Sequence, residues 1–168
     1  MKVIRIAVIG KGPFGLYGTR ATTDEERTAY APLVSRMTQA MAALLEGYDS
    51  AEVLTGTAPG SEQLGFWAAY ALRRDQGADV TIRLTVPSDA DTGGRGLFGP
   101  GMVGTMERLA DSVVPSVADA QEALEGRACR CDALLAVCQP TDAFAESGLG
   151  RAMRAASTAG RRIVVVTP

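Results

Sequence analysis

Three short stretches hold residues whose types and spacing could do chemistry. In Leu54-Thr55-Gly56-Thr57-Ala58-Pro59-Gly60-Ser61-Glu62, an apolar run ends in small residues and leads directly into a segment with helical spacing. A strand, a tight turn and a helix N-terminus in succession leave backbone N–H groups pointing outward. Beside Gly56, Thr57, Gly60 and Ser61 there is then room for phosphate or carboxylate oxygens. Glu62 falls in the first helical turn, where its carboxylate either favours the helix dipole, accepts hydrogen bonds from ribose hydroxyls, or serves as a general base. Gly10-Lys11-Gly12-Pro13-Phe14-Gly15 fits G-x-G-x-x-G after a β-branched run, a spacing that lets the backbone approach a pyrophosphate. Pro13, Tyr17, Gly18 and late helix caps at Thr22 or Thr23 argue that no helix starts at Gly15, and Thr55-Gly56 stands where a ribose-binding acid would be. The stretch therefore reads as a glycine-rich ligand loop or an ordinary connection, and a dinucleotide oxidoreductase is disfavoured. In Asp142-Ala143-Phe144-Ala145-Glu146-Ser147-Gly148-Leu149-Gly150-Arg151, Gly148 and Gly150 allow close backbone approach and Arg151 can pair with a phosphate. The same small residues equally permit tight packing of a helix on a sheet.

The composition narrows these options. Histidine is absent, which excludes Ser-His-Asp and Cys-His catalysis, histidine zinc sites and a histidine general base. The odd cysteine count, Cys129, Cys131 and Cys138, argues against a disulfide framework. Cys-x-Cys lacks a second ligand pair at metal spacing, so no metal or other cofactor is expected and the thiols read as small buried hydrophobes. The formal net charge is −2, with nine basic and nine acidic residues through Leu84 and eight and ten beyond it. Neither half is a basic arm, and a protein whose main task is to hold nucleic-acid phosphates is disfavoured. Arg108 and Arg127, with Glu107, Asp111 and Asp132 near them, either line the same rim or are solvated helix charges. Phe66, Trp67 and Tyr70 lie at helical spacing and read as core or subunit interface rather than a stacking platform. No run approaches the roughly 18 apolar residues of a membrane span, and the start lacks a signal-peptide pattern, so a cytoplasmic protein without membrane contact is expected.

The elements that must position these residues follow from periodicity. A chain of 168 residues is about one domain's worth. Nearly continuous apolar runs at 3–9, 51–55, 80–86, 133–138 and 163–167 predict five strands covered on both faces, the habit of parallel sheets. Helices are predicted at about 24–46, with Pro32 as a possible kink, from 60 to a stop near Gly77, at 102–111 and 117–127 with Pro115 as a break, and at 147–159. The glycine-rich stretch 88–104, which carries Arg95, is a lid candidate. Alternating strands and helices with right-handed crossovers predict an α/β fold, a single three-layer, doubly wound parallel sheet of five strands in the order 3-2-1-4-5. The order reverses between strands 1 and 4, so the crevice at their carboxyl ends is the expected ligand site.

With those residues in place, the chain resembles the SLOG superfamily of Rossmann-like proteins, which includes DNA-processing protein A and the lonely-guy (LOG) phosphoribohydrolases. The resemblance covers nearly the whole chain. It rests on residues 6–10 leading to Leu16-Tyr17-Gly18, on Thr55-Gly56-Thr57-Ala58-Pro59-Gly60-Ser61-Glu62 with the alanine-rich segment 67–72, and on Glu146-Ser147-Gly148-Leu149-Gly150-Arg151-Ala152 through Gly160 to Val166. It implies a site for a nucleotide or nucleotide-derived ligand across the loops after strands 1, 2 and 4, and assembly as a homo-oligomer. The lonely-guy motif Pro-Gly-Gly-x-Gly-Thr-x-x-Glu is missing, and Ala152 stands where related deoxyribosyltransferases carry a glutamate. The basic surface by which DNA-processing protein A holds single strands has no counterpart in this acidic chain.

The expected function is a binding protein that senses, carries or sequesters a small nucleotide. Phosphates would be held by 56–61 and 148–150, ribose by Glu62, and positive charge would come from Arg151 or Arg95. The rival is an enzyme acting on an N-glycosidic or phosphoester bond, with Glu62 as base or nucleophile. A scaffold without ligand is a third class.

Overall fold

The computed structural model describes residues 1–18, 25, 28–87, 101–116 and 120–168. Arg95, the caps Thr22 and Thr23, and residues 88–100 of the lid candidate lie outside them. In chain order the elements are β1 (Val3–Gly10), α1 (Pro13–Tyr17), α2 (Ala31–Leu45), β2 (Ser50–Gly56), α3 (Ser61–Gln76), β3 (Val80–Pro87), α4 (Met102–Leu109), β4 (Ser112–Ser116), α5 (Ala120–Arg130), β5 (Ala133–Val137), a 3₁₀ turn (Pro140–Phe144), α6 (Gly148–Thr158) and β6 (Arg162–Val166).

The sheet is parallel at every pairing, as the continuous apolar runs predict. The expected count and order require correction. Among the described residues six strands form one sheet in the order β4-β3-β2-β1-β5-β6. The added strand, β4, pairs with β3 from Arg83↔Ser112 to Pro87↔Ser116 at the sheet edge. Pro115 marks it as an edge strand rather than a break between helices, because an edge tolerates a residue without an N–H. Val113 and Val114 are both exposed, so β4 lacks the burial along nearly its whole length that makes β2 and β5 legible. The reversal of direction falls between β1 and β5, and Gly10 pairs with Val137 at the carboxyl end of both.

Period-two alternation along β1 feeds two core layers. Ile4, Ile6 and Val8 join Leu33, Met37, Met41, Leu64, Phe66 and Leu72 on the face covered by α2 and α3. Ala7 and Ile9 join Ala128, Leu134, Ala136, Cys138, Ala152, Met153 and Ala156 on the face covered by α5 and α6. The second layer is built largely from Ala and Cys, so those two helices lie close against the sheet.

The helices refine the expected boundaries. No helix starts at Gly15, but a one-turn helix, α1, forms from Pro13, with Pro13 in its first turn and Gly18 in the left-handed conformation closing it. Proline suits that position because its missing N–H has no intrahelical partner there. For the same reason Pro32 opens α2 instead of kinking it. Gly77, at φ 65°, ends α3 as expected.

Candidate functional site

The loops after β1, β2 and β5 meet at the carboxyl edge of the sheet. Lys11 follows β1, and its N–H donates to the carbonyl of Val137 on β5 at 3.1 Å. Its carbonyl is the anchor for α3, accepting from the Ser61 N–H at 3.1 Å and from the Ser61 Oγ at 2.7 Å. Gly10 is the glycine this contact requires: a Cβ there would fall on the Ser61 side chain and within 2.5 Å of the Val137 carbonyl oxygen. Gly60, at φ 99°, lies against Gly12, with a Cβ only 2.7 Å from the Gly12 Cα and from the Lys11 carbonyl oxygen. Gly10, Gly12, Gly60 and Ser61 are thus brought together. Ser61, however, is engaged in holding the two loops to each other, so its donors face protein rather than a ligand. Gly12 is exposed, and a Cβ there would make only ordinary contact with the Pro59 carbonyl oxygen at 3.8 Å.

The turn after β2 is cross-braced from within. Thr55 Oγ1 donates to the Glu62 carbonyl at 2.7 Å, and Gln63 Nε2 donates to the Thr57 carbonyl at 3.0 Å. Glu62 Oε2 accepts from the Ala58 N–H at 3.3 Å, while Oε1 accepts from Nη2 of Arg127. The two charged side chains are only 13% and 11% exposed, so the pair is screened far less than a surface ion pair. Gly56 lies beneath it, and a Cβ there would strike both the carboxylate and the guanidinium. Among the described residues, Arg127 Nε is buried without a hydrogen-bond partner. Arg127 was one of two rim arginines the sequence left open; the structure carries it into the site from the last turn of α5.

Across the reversal, Lys11 Nζ reaches Asp142 Oδ2 at 3.0 Å, with the lysine side chain 33% exposed. Asp142 is fixed independently: it accepts from the Gln139 N–H at 2.8 Å in a capping box that opens the 3₁₀ turn. Arg154 braces the far end of that turn, donating to the carbonyls of Ala143 at 3.1 Å and Ala145 at 3.0 Å.

The third expected stretch is placed differently. Ser147 caps α6, its Oγ accepting from the Gly150 N–H at 3.1 Å. Gly150 is buried, and a Cβ would meet the carbonyls of Ala145 and Asp142. Gly148 is covered by Gln121, which donates to its carbonyl at 3.1 Å. Arg151 points toward Glu125 of α5 at 3.6 Å and is half exposed. The packing reading of Gly148 and Gly150 fits these contacts, and Arg151 pairs with Glu125 rather than joining the Lys11–Asp142 or Glu62–Arg127 pairs.

Cys131 and Cys138 are fully buried, and burial pushes both thiols up, Cys138 to about 11. Among the described residues no cluster of three or more Cys, Asp or Glu could hold a metal, and no helix is long and apolar enough to cross a membrane. The sequence matches no protein-family model and is not significantly similar to any curated protein.

Proposed function

We propose that the chain is a SLOG-like binding protein for a nucleotide or nucleotide-derived small molecule, acting as a sensor, carrier or sequestering module. The observation that carries this reading is the meeting of the β1, β2 and β5 loops at the reversal of strand order, with a partly exposed cation, Lys11, at their junction. Open α/β sheets bind ligands in that crevice. A partly exposed ion pair contributes at most about 1 kcal/mol, so exchanging the Asp142 carboxylate for a ligand phosphate on Lys11 costs little. Asp142 keeps its Gln139 bond when Lys11 turns away. The internal partners of Ala58 and Ser61 move the proposed anion contact from the 56–61 turn toward Lys11 and Gly12.

Both Glu62 carboxylate oxygens are engaged, one by Arg127 and one by a backbone N–H. That supports a positioning task for Glu62, shaping the β2 turn, over the general-base or nucleophile role of the rival enzyme reading. Assembly into a homo-oligomer belongs to the proposal through the resemblance alone. The test is mass spectrometry of small molecules released on denaturing the purified protein, with any hit re-incubated with fresh protein. An intact nucleotide is expected; accumulation of a free base or sugar phosphate would make the chain an enzyme.

A further inference from the structure

Two phenylalanines break the rule that aromatic side chains are buried: Phe14 is 71% and Phe144 is 85% exposed. Both sit on the loops that frame the crevice. Phe14 lies three positions after Lys11, in α1, and Phe144 two positions after Asp142, at the end of the 3₁₀ turn, so the Lys11–Asp142 ion pair ties their two loops together. Neither ring is displayed by a loose backbone. The α1 turn is pinned by the buried Tyr30, whose hydroxyl donates to the Pro13 carbonyl at 3.1 Å. The turn carrying Phe144 is held on either side of the ring by the two Arg154 hydrogen bonds and by the capping box at Gln139. The aromatic cluster of α3 is engaged elsewhere: Phe66 is fully buried and packs edge-on against Trp67, which packs edge-on against Tyr70.

Resting on the nucleotide reading above, we propose that Phe14 and Phe144 are the base-stacking platforms of the site, and that its ligand class is one with a planar aromatic base. Exposed aromatic rings on the two loops that the Lys11–Asp142 ion pair joins match the two ends of a nucleotide, an apolar ring and a phosphate. Stacking tolerates any base, so the site selects for the presence of a base more than for its identity.

The test is titration calorimetry of the full chain with AMP, GMP, CMP and UMP, using Phe14→Ala, Phe144→Ala, Phe14→Trp and Phe144→Trp. Both positions are exposed, so the variants keep the core intact, and thermal melts verify it. At least one alanine variant is expected to bind about fivefold or more weakly than wild type, with the matching tryptophan variant within about twofold of it. Alanine variants that bind as wild type does would overturn the stacking role and leave nucleotide binding standing. So would weakening that tryptophan fails to restore, or a change confined to oligomeric state in sedimentation velocity. Wild type that binds none of the four would overturn both.

Discussion

Glu62 and Arg127 are 65 residues apart in the chain and meet in a nearly buried ion pair. Removing one partner leaves the other charge buried and uncompensated. Arg127→Ala is therefore expected to cost about 2–4 kcal/mol, a little under the range for fully buried pairs. The double variant Glu62→Gln with Arg127→Met should cost less than Arg127→Ala alone, measured by urea unfolding. The sequence placed Glu62 in a first helical turn correctly, but nothing at a spacing of 65 residues could announce its partner. Gly60 was legible as a turn glycine. Its contact with Gly12 makes a substitution there a test of folding, so binding is better probed at Lys11. Cys138 adds a pH dependence. Its folded thiol is pushed up to about 11 by burial, against 9.0 in the exposed chain, so the unfolded state loses its proton first. This contribution to stability is fully present below pH 9 and is lost as the pH rises toward 11, in the same direction as that of Cys131. Cys138→Ala should flatten that alkaline decline in urea midpoint.

The strands buried on both faces announced themselves as unbroken apolar runs; β4 did not, because both of its central valines face outward and a proline interrupts it. The same exposure makes β4 cheap to alter. Val114→Lys is expected to change stability by less than about 1 kcal/mol, whereas Leu135→Ala in the fully buried β5 should cost about 2–5 kcal/mol. Amide hydrogen exchange should release β4 before β5. In α6 the Ser147 cap satisfies the Gly150 N–H, so Ser147→Ala should lose about 1 kcal/mol in urea unfolding. Pro32 lies in the first turn of α2 rather than kinking a longer helix, and sequence alone does not say whether a helix begins just before a proline or runs through it.

Alternating strands and helices made the parallel α/β class legible, and the small-residue turns after β1 and β2 marked loops that do meet at the reversal of strand order. The charges that join those loops were not legible: Lys11 with Asp142 and Glu62 with Arg127 exist only once the sheet has brought β1, β2 and β5 side by side. Lys11 is the group that the binding proposal depends on most. It is the one partly exposed cation that the described contacts place at the junction of the three loops. The most direct measurement is equilibrium titration of wild type and Lys11→Met with the four nucleoside monophosphates. Wild type should bind at least one of them, and Lys11→Met should bind it about tenfold or more weakly, the loss of one charge-assisted contact. Wild type that binds none, or a Lys11→Met variant with unchanged affinity, would contradict a nucleotide site at this crevice.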